Sequence, residues 1–445
     1  MITNWRILLL ALLVVSFAAC GEGSSEREMN SDDASTAGDA GTGGSAAPGL
    51  GGAQGTGGNP GGGTGGMPAG AGTGGMTSGK DDGGTTATGG AGGRTAATGG
   101  SGGGGVGVGG TTGSGGAAGT GPSVRVVGRT AAGPVAGSIQ YAWPGVNIQA
   151  NFMGTQASMT VNNASANNRV TMIVDGGTPR TFAMVAGQST VSLASGLASG
   201  AHQLVIWRNT EASPGDLTTF TGLTGFGSGG ALLAPPDAPA RRIEMVGDSL
   251  SVGAGVEGNA TCTGGIDAYT NNYLAYGSVA ARALSADVVT IAYSGIGVYR
   301  NFGETTPTAA SLTMPRRYPY AIPDTALWNF SLYQPQVVVI NLGTNDFAPS
   351  DPGLPYETAY VSFVQSIREK YAGAYFVLID MYGGMRLTRL NDILTALKSS
   401  GESRVEVLSL NAAQNNLGCN QHPNVAGQQA MGNTLAARLR VVMGW

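Results

Sequence analysis

The sequence predicts an α/β domain built on a five-stranded, mostly parallel sheet, preceded by a small β-sandwich. Three observations carry this. After Arg241, short β-rich runs alternate with segments of helical period, the pattern of strands joined by crossover helices. From Ser123 to about Leu233 the apolar runs are equally short, but Gly, Asn and Pro break them and no long period-3.6 stretch intervenes, as in an antiparallel sandwich. Between the two lies Ala234-Pro235-Pro236-Asp237-Ala238-Pro239, a proline-rich boundary.

The elements follow in chain order. Met1 to Cys20 read MITNWRILLLALLVVSFAAC. Arg6 precedes an apolar run, Ile7 to Ala19, that is too short for a comfortable membrane span and has the layout of a secretory signal. Ala18-Ala19-Cys20, followed by polar sequence, resembles the lipobox of bacterial lipoproteins, with Phe17 where leucine is usual. The resemblance implies removal of residues 1–19, lipidation of Cys20 and a protein anchored by lipid in the cell envelope, with Gly21 pointing to the outer membrane. An ordinary cleaved signal with a free cysteine is the alternative.

Residues 21–122 read as a tether. They hold 42 of the 78 glycines and no Phe, Trp or Tyr, so burial could not offset the entropy of ordering them. Glycine does not recur at every third position, which excludes a collagen-like helix. About 100 residues of Gly-rich coil reach roughly 50–60 Å, enough to hold a folded body clear of a membrane. The remainder, about 320 residues, suffices for two domains, 123–235 and 240–445.

In the first of these, Val124–Val127, Ala150–Met153, Val170–Val174, Thr190–Leu193 and Leu204–Trp207 read as sandwich strands. In the second, the strands are Ile243–Val246, Val288–Ala292, Gln336–Asn341, Tyr375–Ile379 and Val405–Leu408. Tyr360, Phe363, Val364, Ile367 and Tyr371 share one helical face, and Leu387, Leu390, Ile393, Leu394 and Leu397 share another. Such a sheet is covered on both sides and binds ligands beyond the carboxyl ends of its strands.

Composition narrows the chemistry. Net charge is −4 with 11% charged residues, which leaves no basic footprint for nucleic acid. Two histidines and three cysteines are too few soft ligands for most zinc sites. Any imidazole chemistry falls to His202 or His422, and His202, inside the sandwich, reads as structural.

Three strand ends carry candidate functional groups. The first runs into Gly247-Asp248-Ser249-Leu250, the second ends Ser294-Gly295-Ile296-Gly297, and the third ends Gly343-Thr344-Asn345-Asp346. Cys419-Asn420-Gln421-His422-Pro423-Asn424 precedes the last expected helix. A lone Gly-Asp-Ser string is weak evidence; with Gly-x-Asn-Asp at the third strand end and a late His-Pro it is strong. Together they resemble the SGNH branch of GDSL hydrolases, whose Ser, Gly, Asn and His map onto Ser249, Gly295, Asn345 and His422. A closer resemblance, to carbohydrate esterase family two, covers about Ser123–Trp445. It rests on Tyr141-Ala142-Trp143-Pro144-Gly145, the run from His202 to Glu211, Ala234-Pro235-Pro236, Tyr273-Leu274-Ala275-Tyr276-Gly277, Ala280-Ala281-Arg282-Ala283-Leu284, and Ser294-Gly295 followed by Tyr299-Arg300-Asn301. It implies a jelly-roll domain packed on an SGNH domain, and removal of acetyl groups from plant polysaccharides.

The residue types suit ester hydrolysis, which needs a nucleophile, a base and donors for the oxyanion. Ser249 is the expected nucleophile and His422 the base. The amides of Ser249 and Gly295 and the side chain of Asn345 are the expected oxyanion donors, with Gly297 an alternative to Gly295. Asp248 and Asp346 read as structural groups beside the site. No metal or organic cofactor is expected. Relatives commonly place an aspartate two or three residues before the histidine, where this chain has Asn420 and Cys419. The Asn420 carbonyl oxygen, or a backbone carbonyl, is then the expected partner of the ring. With Cys20 assigned to lipid and export to an oxidising compartment, Cys262 and Cys419 are expected to form a disulfide, two separate buried thiols being the alternative. The expected protein is a monomeric carbohydrate O-acetylesterase with an acetylated polysaccharide or oligosaccharide as partner. A polysaccharide-binding lipoprotein with impaired catalysis, and an esterase for lipid or aryl esters, are the other readings.

Overall fold

A computed structural model describes residues 124–445, apart from 213–215, 264 and 412–415. Ser123, Cys20, the expected signal and the expected tether lie outside the described residues.

The N-terminal strands alternate inward and outward side chains: Ala157, Met159 and Val161 are buried along Ala157–Asn163, the period of two that a one-sided sheet requires. One antiparallel sheet has the order Arg125–Val127, Asn147–Gly154, Gly200–Arg208, Arg169–Val174, Arg180–Ala183, with Ala231–Leu232 added to Asn147–Gly154. The other has the order Ala131–Ala132, Ile139–Tyr141, Thr218–Thr224, Ala157–Asn163, Gly187–Ala194. Trp143, Ile148, Phe152, Met159 and Leu204 fill the core that they share.

The second body is a five-stranded sheet in the order Ala286–Ala292, Arg241–Gly247, Val337–Asn341, Tyr375–Asp380, Val405–Ser409. Every adjacent pair is parallel. Val337–Asn341 is buried throughout, as a strand covered on both faces must be. On one face, Tyr276–Ala283 and Val425–Met443 pack over Met245, Val339 and Val377. On the other, Leu354–Lys370 and Gly384–Ser399 cover Val338, Ile340 and Leu378. Tyr360, Phe363, Val364 and Ile367 form the buried face of Leu354–Lys370, with Tyr371 as its C-cap. In Gly384–Ser399, Leu390, Ile393 and Leu397 are buried while Leu387 and Leu394 are half-buried. Because the first strand lies between the second and third, the order reverses there. A crevice opens at its carboxyl end, where such folds place their ligands.

The two bodies are joined by buried polar contacts. Arg129, from the sandwich, is fully buried against Glu244 on the first sheet strand, 3.3 Å away. Glu244 also accepts hydrogen bonds from the hydroxyls of Tyr318 and Tyr371. The Arg129 guanidinium lies over the Tyr318 ring, 4.4 Å from its centroid, and Trp143 Nε1 donates to the Tyr320 carbonyl at 3.2 Å. The stretch 303–323 thus supplies part of the joint: Met314, Tyr318 and Ala321 are buried.

Candidate active site

Ser249 opens a single helical turn, Ser249–Val252, directly after the first sheet strand. Asp248 caps that turn, its Oδ1 accepting from the Leu250 amide at 3.0 Å, and so fixes the direction in which Ser249 leaves the sheet. Burial pushes the Asp248 carboxyl up to about 7. The Ser249 side chain faces His422: Oγ and Nε2 are 2.7 Å apart.

His422 is oriented by main chain. Its Nδ1 lies 3.2 Å from the carbonyl of Cys419 and 3.2 Å from that of Asn420. Carbonyls only accept, so Nδ1 carries the proton and Nε2 presents its lone pair to the serine hydroxyl. Asn420 and Gln421 have φ of 50° and 61°, and this pair of left-handed residues turns the carbonyls toward the ring. The partner that Asn420 gives the histidine is therefore its backbone oxygen, while its side chain is on an exposed residue. The segment is tied down by Gly418 N–H to the His422 carbonyl at 2.6 Å, by Cys419 N–H to the Gly255 carbonyl at 3.1 Å, and by a disulfide between Cys419 and Cys262, Cα atoms 5.5 Å apart. Burial holds the His422 imidazole below its ordinary value of 6.5, against the opposing pull of the two carbonyls.

The second and third strand ends complete the site. Asn345 Nδ2 donates one hydrogen to the Ile296 carbonyl at 2.7 Å and keeps another for a ligand. The Gly297 amide is engaged by Asn301 Oδ1 at 3.2 Å, whereas the Gly295 and Ser249 amides have no partner among the described residues. Gly295 has φ of +76°, a conformation that glycine takes without penalty. Asp346 braces the neighbouring loop, accepting from the amides of Val298, Tyr299 and Arg300 at 3.0, 2.7 and 3.0 Å. Its burial raises it to about 6 against those donors. Phe302 and Tyr382 are exposed on the loops that flank these groups.

His202 stands apart from this constellation. Its Nδ1 pairs with Asp175 at 2.7 Å and its Nε2 meets the Ala198 carbonyl at 2.8 Å, within the sandwich. Hydrogen bonding to Asp175 raises its pKa. Two residues near the site received no role from the sequence. Arg300, buried, bonds the carbonyls of Asp346, Thr305 and Ser350. Glu211, from the sandwich, accepts from the Ser294 amide at 2.6 Å. Tyr299-Arg300-Asn301 and the run ending at Glu211 stand out in the sequence only as stretches of likeness.

A serine and a histidine in contact at the carboxyl edge of a parallel sheet, beside unpaired amides and an asparagine amide, define a serine hydrolase of the SGNH, or GDSL, class. Comparison with known proteins agrees: residues 126–236 match the carbohydrate esterase 2 N-terminal domain and 245–430 the GDSL-like lipase/acylhydrolase family. The chain is 30% identical over 340 residues to an acetylxylan esterase / glucomannan deacetylase of Cellvibrio japonicus, covering 73% of this chain and 90% of that protein. It is 38% identical over 314 residues to cellulase/esterase CelE of Acetivibrio thermocellus, covering 68% of this chain and 38% of CelE, so it corresponds to well under half of that protein. A family two carbohydrate esterase from Clostridium thermocellum, solved with cellohexaose, superposes with a TM-score of 0.67 at 35% identity, covering 72% of this chain and 99% of that one. The chain belongs to carbohydrate esterase family 2.

Proposed function

We propose that this protein removes O-acetyl groups from a hemicellulose-type polysaccharide or its oligosaccharides through a Ser249–His422 dyad. The observation that carries this reading is the 2.7 Å contact between Ser249 Oγ and a His422 ring whose Nδ1 rests on two main-chain carbonyls. Ser249 attacks the acetyl carbonyl as His422 Nε2 takes its proton. The Ser249 and Gly295 amides and Asn345 Nδ2 receive the oxyanion. The imidazolium returns the proton to the departing sugar oxygen, and water then releases acetate by the same steps. The similarity to enzymes named acetylxylan esterase and glucomannan deacetylase supports the acetyl-carbohydrate substrate. The exposed Phe302 side chain is suited to packing against a sugar chain.

Acetate release from acetylated xylan, acetylated glucomannan and an aryl acetate tests the reading. Turnover on the polysaccharides, abolished by Ser249→Ala in a folded protein, is expected. An inert wild-type protein that still binds polysaccharide would replace it with the binding reading, and turnover confined to the aryl ester with the non-carbohydrate one. Asn345→Ala is expected to lower kcat by roughly 10²–10³-fold if its side chain is an oxyanion donor. We also propose that the protein works as a monomer and is tethered to the cell envelope through lipid on Cys20; the apolar run and Ala18-Ala19-Cys20 support the tether. Metabolic labelling with an alkynyl fatty acid should be lost in Cys20→Ser.

A further inference from the structure

We propose that Glu211 of the β-sandwich is a positioning residue for the oxyanion hole, holding the turn that presents the Gly295 amide. The inference rests on the esterase reading above and adds a function for the N-terminal domain within that reaction.

Glu211 is 7% exposed and has no Lys, Arg or His ion partner among the described residues. A buried carboxylate without a cation is costly unless its hydrogen bonds are strong. The strong one here is to the Ser294 amide, at 2.6 Å. Burial pushes the Glu211 carboxyl up, and the Ser294 contact opposes that rise.

Ser294 immediately precedes Gly295. Around this turn the other backbone N–H groups are taken one by one: Ser294 N–H by Glu211, Ile296 N–H by the Tyr293 carbonyl at 3.3 Å, and Gly297 N–H by Asn301. The Gly295 carbonyl accepts from Phe302 N–H at 2.8 Å, and the Ile296 carbonyl accepts from Asn345. The Gly295 amide is left over, with Glu211 anchoring the chain on one side of it and Asn345 on the other. A φ of +76° at Gly295 is open to a flexible residue, so its amide keeps one direction only if both flanks are held.

The segment that carries Glu211 is itself rigidly held. Arg208, buried, donates to the carbonyls of Thr210, Glu211 and Asp216 and to Thr218 Oγ1. Asn209 Nδ2 donates to Thr171 Oγ1 and Thr210 Oγ1 donates to Asn168 Oδ1. The Asn209 carbonyl accepts from the Asn272 amide of the catalytic domain at 3.1 Å. The anchor therefore transmits the position of the sandwich, not the drift of a loop, to the oxyanion donor. Donors fixed before the reaction are what make such a site effective.

The test compares Glu211→Asp, Glu211→Gln and wild type on an aryl acetate and an acetylated oligosaccharide. Glu211→Asp keeps the charge but withdraws the carboxylate by one methylene. It is expected to lower kcat roughly tenfold or more, with KM within twofold. Glu211→Gln, whose carbonyl oxygen can still accept from Ser294, is expected to stay within threefold of wild type. A phosphonate analogue of the tetrahedral intermediate should inactivate the Asp variant more slowly by the factor lost in kcat/KM. Equal kcat in both variants, or a loss in Asp that appears in KM alone, overturns the inference while leaving the esterase intact. If either variant fails to fold, the other still decides: an active Asp variant or a Gln variant reduced tenfold contradicts it. A wild-type protein without turnover overturns the esterase reading and this inference with it.

Discussion

Replacing Asn420 by aspartate asks which atoms hold the base. His422 must be neutral to accept the serine proton, so activity falls as pH drops through its pKa. Because burial lowers that pKa, the acid limb of kcat/KM in the wild type is expected below pH 6.5. In Asn420→Asp the two backbone carbonyls remain on Nδ1, and the new carboxylate belongs to an exposed residue. For a carboxylate taken at about 7 Å from the ring in water, the charges interact by about 0.6 kcal/mol, and salt near 0.15 M reduces this. The acid limb should therefore move to higher pH by roughly 0.2–0.4 unit, with the plateau rate within twofold. Histidine NMR gives a second readout, because the chain has only two histidines. Asp175 raises His202 and burial lowers His422, so the two rings titrate on opposite sides of 6.5 and only the lower should respond. A wild-type acid limb above pH 7 would refute the assignment of burial as the dominant influence. A shift of a full pH unit or more in the variant, with a faster plateau, would mean that a side chain displaces the carbonyls from Nδ1.

Three further perturbations probe the supports. Reducing the Cys262–Cys419 bridge frees two residues 157 apart in sequence; the loop-entropy limit is about 5 kcal/mol, so Tm should fall by roughly 5–10 °C, and an unchanged Tm would contradict a stabilising bridge. Gly297→Ala should lower Tm more than Gly295→Ala, because an added Cβ at 297 would lie 1.9 Å from the Arg300 carbonyl and 2.6 Å from Asp346 Oδ2, whereas at 295 the nearest atom, Phe302 Cβ, is 3.8 Å away and the cost is that of the left-handed φ of +76°; thermal melts that rank the two the other way would refute this. Arg129→Ala leaves Glu244 buried without its cation and should cost about 3–5 kcal/mol in urea unfolding; a loss below about 1 kcal/mol would mean that Tyr318 and Tyr371 suffice to hold that carboxylate.

Where physics acts locally, the sequence was legible. Val337 to Ile340 is apolar at every position because both faces of that strand are covered. Tyr360, Phe363, Val364 and Ile367 repeat at helical spacing because one face of their helix meets the sheet. Ser249, Asn345 and His422 stood out because their residue types are scarce or sit at strand ends. Their mutual geometry was not legible, because it depends on strand order. The same holds for the choice between Gly295 and Gly297, which turns on one side chain, Asn301, folding back onto one amide.

What remained hidden is carried by backbone direction and by contacts across the domain joint. Residue identity leaves the Asn420 side-chain oxygen and a backbone carbonyl both open as the partner of His422; the ring is held by carbonyls whose aim is set by φ at Asn420 and Gln421, an angle that residue identity only weakly constrains. Arg129 and Glu211 look like ordinary surface charges in short sandwich segments, and burying either alone would be unfavourable. They become intelligible only once Glu244 and Ser294 are brought from the other domain, 115 and 83 residues away in sequence. One of these contacts braces the sheet behind the site and the other braces the turn within it. The sandwich is thus bound to the catalytic domain where its displacement would alter the site, which makes it a working part of the hydrolase.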